Sequence, residues 1–302
     1  MKIIGIDTNA LVFRSVFNYE RMLINKKDGN FILPPDYTYM SMIISCLKKI
    51  GVDKNTKVFL AQDDYSWRKN YDANYKAQRA GQREQHKLIN WTEQFEKANF
   101  ITQSIGEAGG FFVMRVKNCE ADDILSVISD YYKNDEVIIC TGDKDLYQLA
   151  IRPNTKIFSY NVKIKGLRGG FVKVDNPFQI VYDKIRKGDV SDNLIPGQNE
   201  TEEDIELRKF LVDLINLPDF VTIPIKQELS HLIDRQPNLE ALPYPDSLGK
   251  RFFDIYKKDN VITYDACVEY SEKRAAKKAK KAKEKRDAKK AKKDECNLVT
   301  NN

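Results

Sequence analysis

The chain alternates short unbroken apolar runs with longer segments whose apolar residues recur at helical spacing. KIIGID (2–7) is an apolar run ending in an acid, the pattern of a parallel strand buried on both faces. PDYTYMSMIISCLKKIG (35–51) predicts a helix stopped by Gly51. KVFLAQDD (57–64) predicts a second strand, again ending in acids. Residues 65–100 are polar, basic and aromatic, with no sustained apolar face before LINWTEQFEKANF. FFVMRV (111–116) predicts a third strand. In the following NCEADDILSVISD (118–130), Ile124, Val127 and Ile128, continued by Tyr131, predict an amphipathic helix. DEVIICTGDKD (135–145) predicts a fourth strand running into a polar turn, and TKIFSY (155–160) a fifth. Strands alternating with helices argue for an α/β fold with a mainly parallel central sheet flanked by helices.

Beyond residue 175 the pattern changes. NPFQIVYDKIRKGDVSDNLIPG reads as helix, turn and a Gly/Pro stop. Residues 201–270 read as mainly helical, interrupted by Pro218, Pro224, Pro237, Pro243 and Pro245. From about 271 the chain is rich in Ala and Lys, a tail either helical or disordered. The expected organisation is an α/β domain over 1–175, a helical lobe over 176–270 and a basic tail over 271–302.

Composition narrows the class. With 302 residues, 42% of them hydrophobic and 31% charged, the chain can bury a substantial core as a soluble protein. No apolar run approaches the length of a membrane span, so no membrane association is expected. MKIIGIDTN is too short in its apolar part, and too soon acidic, for a signal peptide. Cys46, Cys119, Cys140, Cys267 and Cys296 form no close pairs, and His86 and His231 are the only histidines, so there is no zinc-like spacing and no disulfide framework is expected. A reduced cytoplasm is the expected location. Of the 50 basic residues, 13 lie in 273–293, which holds 2 of the 44 acids; the body keeps 37 basic and 42 acidic residues. The net +6 therefore comes from the tail, whose expected role is phosphate attraction or simple solubility.

The acids carry the chemistry. A parallel sheet binds ligands outside the carboxyl ends of its strands. Asp7 ends the first predicted strand, Asp63 and Asp64 the second, and Asp143 and Asp145 the fourth. Glu120, Asp122 and Asp123 open the helix after the third. One acid caps a helix; three in four positions repel one another. So many carboxylates at one sheet edge must take up protons or be neutralised by cations. Oxygen ligands without Cys or His indicate Mg²⁺ or Mn²⁺, and two such ions about 4 Å apart suit phosphodiester hydrolysis. Asp189 and Asp192, three apart in GDVSDN, are a further pair suited to one side of a turn.

Asp7 in GIDTN, Asp63 in AQDD, YKAQR at 75–79, EADD at 120–123, TGDKD at 141–145 and GDVSDN at 188–193 together resemble the 5′ nuclease family. That family includes flap endonucleases, the 5′–3′ exonuclease domains of bacterial DNA polymerase I, and phage 5′–3′ exonucleases and RNase H enzymes. The resemblance covers roughly residues 1–197, six motifs in order, and fits the free-standing phage type best. It implies a PIN-like sheet, a helical arch over about 65–100, and a C-terminal helical lobe with a helix–hairpin–helix region around 185–197. As implied metal carboxylates it gives Asp7, Asp63, Glu120, Asp122, Asp123, Asp143, Asp145, Asp189 and Asp192, with Asp64 the alternative to Asp63. Tyr75, Lys76 and Arg79 match the YKxxR element of the arch. Lys76 and Arg79, three apart, would share a helix face and stabilise charge on the scissile phosphate; Tyr75 would stack on a terminal base. Arg68, Lys69 and Arg83 in the basic cluster, with Lys187, Gly188 and Gly197 near the hairpin, are candidate nucleic-acid contacts. After IPG the chain departs from the pattern: QNETEEDIELRKF is acidic and lacks the expected second glycine hairpin, which puts a monovalent-cation site there in doubt.

The implied activity is Mg²⁺-dependent hydrolysis near the 5′ end of DNA flaps, nicked DNA or RNA–DNA hybrids, with two or more ions, removing primers during replication. Implied partners are single-stranded DNA-binding or clamp proteins of a replisome. A monomer is expected, in host cytoplasm if phage-encoded. The alternatives are a non-catalytic DNA-binding protein on the same fold and a PIN-type ribonuclease.

Overall fold

The computed structural model describes residues 1–24, 35–164 and 167–239. The predicted basic tail and the last part of the predicted helical lobe lie outside the described residues. Six strands form one sheet: β1 (Lys2–Asp7), β2 (Thr56–Ala61), β3 (Phe112–Met114), β4 (Glu136–Thr141), β5 (Thr155–Ile164) and β6 (Leu167–Val172). Their order is β3-β2-β1-β4-β5-β6. The first five are parallel, and β6 returns antiparallel to β5.

The described helices are α1 (Thr8–Ile24), α2 (Pro35–Ile50), α3 (Gln78–Glu84), α4 (Trp91–Gly109), α5 (Ala121–Tyr131), α6 (Pro177–Lys187), α7 (Glu202–Val212) and α8 (Asp219–Ser230). The chain lays down β1, β2 and β3 in one direction, then returns to place β4 on the other side of β1. Parallel crossovers are right-handed, so the reversal sends α5 to the opposite face from α1, α2 and α4. The contacts agree: α1, α2 and α4 pack on one another, whereas α5 packs on β1, β2 and α8. The reversal also opens a crevice beyond the carboxyl ends of β1 and β4, where such sheets bind ligands.

β1 lies at the centre because Ile3, Ile4 and Ile6 are fully buried. Gly5 lets α5 approach it closely, since a Cβ there would stand 2.5 Å from Leu125 Cδ2. The hydrophobic half of α5 (Ile124, Leu125, Val127, Ile128) is buried in the same cluster as Leu211 of α7 and Val221, Ile225 and Leu229 of α8. The described residues beyond 175 thus share a core with the sheet. Caps set several boundaries. Asn90 accepts from Glu93 N at the start of α4, which ends at Gly110 in the left-handed region (φ 65°). Thr201 and Asp204 bond reciprocally at the start of α7.

Two elements go beyond the expected pattern. α1 follows β1 directly, and β6 adds an antiparallel edge. LRGGFV carries two adjacent glycines, which weaken any strand signal. The 65–77 stretch contains a 3₁₀ turn, Trp67–Asn70, rather than a long helix, and α3 buries no residue.

Candidate functional site

A cavity of about 930 Å³ opens at the crevice. Eight carboxylates line it: Asp7, Asp63, Glu120, Asp122, Asp143, Asp145, Asp189 and Asp192. Local hydrogen bonds aim them. Asp7 leaves the end of β1 and accepts from Ala10 N (3.2 Å) and Thr141 Oγ1 (3.4 Å). Asp63, just past β2, accepts from Ala121 N (2.7 Å), which ties the strand end to the first turn of α5. After β4, Asp143 N donates to Thr141 Oγ1 and Asp145 N to Asp143 Oδ1, both at 2.9 Å. Asp189 and Asp192 sit in a hairpin entered through Gly188 (φ 73°), where a Cβ would meet Leu194 O at 2.2 Å, so only glycine fits. Carboxylate oxygens of Asp145, Asp189 and Asp192 lie within 4.8 Å of one another.

Crowding shifts their protonation. Burial, then the charges of Asp63 and Asp143, push the Asp7 carboxyl up to about 7. Burial and Glu120 raise Asp63. Burial with Asp143 and Asp7 raises Asp122 well above the carboxylate range. Asp145 rises to about 6 through burial and Asp143, against the pull of Lys184. Glu120 goes the other way: burial resists its charge, but Lys76 and Arg68 hold it down to about 2. Four carboxyls thus stay above the ordinary carboxylate range although Lys76 pulls on Asp63 and Asp122 and Lys184 on Asp145, and the donors are all hard oxygens. That is the donor set a divalent cation fits.

Basic groups face the acids. Lys76 Nζ pairs with Glu120 Oε1 (2.5 Å) and stands 3.9 Å from Asp192 Oδ1. Arg79 Nη2 pairs with Asp192 Oδ1 at 2.7 Å. They converge, but not through a shared helix face. Lys76 precedes α3 in a left-handed conformation (φ 55°), and its N–H donates to Asp192 O (2.9 Å). The strained turn, docked on the hairpin, turns Lys76 inward. Sequence reasoning missed Lys184, whose ammonium bridges Asp145 and Asp189. Lys184, Arg186 and Lys187 share the last turn of α6, and only the helix phase decides which reaches the acids. Arg14, Lys144, Tyr160 and Asn161 also line the cavity and were missed.

Several expectations are corrected. Asp123 is fully buried, accepts from both terminal guanidinium nitrogens of Arg68 and from the Trp67 indole, and does not line the cavity. Arg68, expected to touch nucleic acid, is 2% exposed and donates to Glu120, Asp123 and Leu211 O. The Tyr75 ring is buried and its hydroxyl donates to Glu120 (3.1 Å), so it offers no face to a terminal base. Asp64 points away, bonded to Arg115 and Asn118 N, which leaves Asp63 as the cavity acid. Among the other candidate contacts, Lys69 and Arg83 are exposed, Lys187 is exposed and paired with Asp183, Gly188 lines the acid cavity, and Gly197 lines a second cavity of about 350 Å³.

Comparisons with known proteins agree with this fold. The family model described as 5′-3′ exonuclease, N-terminal resolvase-like domain, matches residues 2–175. No curated protein matches the chain in a sequence search. Among solved structures, the bacteriophage T5 D15 protein co-crystallised with metal ions is similar at 17% identity and a TM-score of 0.56, over 78% of this chain and all of that one. The T5 D15 flap endonuclease in a pseudo-enzyme–product complex with DNA and metal ions is similar at 18% identity and 0.55, over 85% of this chain and 98% of that one. The T5 5′-exonuclease with bound zinc aligns at 19% and 0.53, over 76% and 99%. At these identities the structural likeness bears on the fold.

Proposed function

The chain belongs to the 5′-3′ exonuclease family, and from that premise we propose that it is a Mg²⁺-dependent, structure-specific 5′ nuclease. Its substrates would be DNA flaps, nicked DNA or RNA–DNA hybrids cut near the 5′ end, as arise when primers are displaced in replication. The convergence of eight carboxylates with Lys76 and Arg79 in one cavity carries this reading.

Two groups of carboxylates would hold the cations. Asp7, Asp63, Glu120, Asp122 and Asp143 act on one another's charge, and Asp145, Asp189 and Asp192 bring carboxylate oxygens within 4.8 Å of one another. A divalent cation bound there supplies charge neutralisation and Lewis acidity toward a phosphoryl oxygen. The protein's own groups do the rest. Glu120 and Asp192 keep Lys76 charged against the cost of burial, well above its ordinary range, so it stays an ammonium at any working pH. When the backbone enters, Lys76 and Arg79 can exchange carboxylate partners for non-bridging phosphate oxygens, where charge grows during attack by water. The exposed Lys69, Arg83 and Lys187 would steer the backbone in. The helices beyond 175 would grip the duplex, with single-strand-binding or clamp proteins as partners.

The test uses a 5′-labelled flap, a nicked duplex and an RNA–DNA hybrid, each with Mg²⁺ or EDTA. Asp143→Asn is expected to abolish cleavage of all three and to leave junction binding largely intact. Cleavage by the variant at the wild-type rate would remove the metal assignment.

A further inference from the structure

The acid cavity continues along α1. Asn9, Ala10, Phe13, Arg14, Phe17 and Asn18 line it, recurring at helical spacing so that one face of α1 forms a wall. Helical rise carries this wall about 15 Å from Asp7 to Phe17. At its far end Phe13, Phe17, His86, Trp91 and Phe95 form an aromatic cluster.

The cluster is graded from packed to open. Phe13 sits inside it, 5.5 Å from both the Trp91 and Phe95 rings. Phe17 stacks beside Phe13 (6.2 Å, 25°), meets Trp91 edge-on (5.6 Å, 71°) and tilts against His86 (5.0 Å, 53°). The bracing is polar as well: Trp91 Nε1 donates to Arg83 O (3.1 Å), and His86 Nδ1 lies 2.6 Å from Glu20 Oε2. Yet Phe17 stays 42% exposed while lining the cavity. A rigid, braced phenyl face at the margin of a charged trough favours a ligand that joins a flat π surface to negative charge. Arg14 and Arg79 line the same trough. A single nucleic-acid strand has this chemistry, with bases that stack on aromatics and phosphates that attract guanidinium groups. A protein partner's apolar surface would instead meet Arg14, Asn18 and Arg79 at the rim, a poor match.

We propose that Phe17, backed by Phe13 and Trp91, is a stacking platform for a nucleobase of the unpaired strand beyond the carboxylates. This rests on the nuclease reading and adds a binding site to it. The platform would serve flaps and have no role on a nicked duplex without one.

The test compares Phe17→Leu, which keeps apolar bulk but loses the π face, with Phe17→Tyr, which keeps both. Affinity for a 5′-flap and for a nicked duplex is measured in EDTA, alongside thermal melting. Phe17→Leu is expected to bind the flap about tenfold more weakly, the fold-change that ~1.4 kcal/mol of lost stacking corresponds to. It should bind the nicked duplex and melt as wild type does, and Phe17→Tyr should restore flap affinity. Flap binding should also quench tryptophan emission through Trp91, because Trp67 is only 1% exposed. Unchanged flap affinity in Phe17→Leu, or equal loss on both substrates, would overturn the platform. Binding in EDTA does not depend on cleavage, so an inactive wild type on all substrates with Mg²⁺ would sink the nuclease reading separately.

Discussion

Asp123 accepts from Arg68 Nη1 (3.1 Å) and Nη2 (2.8 Å) and from the Trp67 indole (3.2 Å), all out of water. Arg68 also donates to Glu120 Oε2 at 2.9 Å, while Lys76 holds Glu120 Oε1. Opposite charges therefore alternate from Asp123 in the core through Arg68, Glu120 and Lys76 to the cavity. A buried pair gains little over a hydrophobic replacement, but losing one partner strands the other. Arg68→Met is accordingly expected to destabilise the fold by about 3–5 kcal/mol. Urea denaturation measures this, and a loss below 1 kcal/mol would mean that Asp123 and Glu120 find other partners. The acid motif itself was legible from EADD and its neighbours. Which acid faces the cavity was not. Adjacent positions on a helix point about a quarter-turn apart, and a tertiary partner 55 positions away in sequence sets the role of Asp123.

At the scale of elements, the first turn of α5 joins three jobs. Asp123 accepts from Glu120 N (2.9 Å) as a helix cap, Ala121 N donates to Asp63, and Asp122 faces the cavity. The apolar face of the same helix fixes it against β1 and β2. The turn thus holds carboxylates whose mutual repulsion a bound cation relieves. Removing divalent ions is expected to speed amide exchange at 120–122 without altering the helix interior at 125–128. Equal exchange at 120–122 in Mg²⁺ and EDTA would count against that coupling. Legibility varied by element for a physical reason. β1, β2 and β4 were readable because strands buried on both faces are continuous apolar runs ending at polar crevice residues. β6 was not, since Gly169 and Gly170 sit on the edge of the sheet, with Phe171 left 46% exposed. The 65–77 stretch was readable as basic and aromatic but not as a docked turn. Its shape depends on the hairpin: Gln78 Nε2 donates to Val190 O and Ser191 O, and Asn193 Nδ2 to Asn74 O.

For the whole molecule, the cavity acids couple stability to pH and metal together. Without divalent ions, folded Asp7 holds its proton up to about 7 and Asp145 up to about 6, whereas unfolded carboxylates release theirs near 4. Between those limits the folded state binds more protons than the unfolded one, so stability falls as pH rises. Asp63 and Asp122, also raised, act in the same direction. Glu120, held down to about 2, contributes in the opposite direction, and its share is lost only in stronger acid. In EDTA the protein is therefore expected to melt at a higher temperature at pH 5.5 than at pH 7.5. Mg²⁺ should raise the melting temperature more at pH 7.5, where the carboxyls are ionised and no proton must be displaced, because a ligand that binds only the folded state stabilises by mass action. Asp7→Asn should shrink both the pH slope in EDTA and the Mg²⁺ shift. A melting temperature in EDTA that fell from pH 7.5 to 5.5, with a Mg²⁺ shift equal at the two values, would show that these carboxyls are not the coupled cation site.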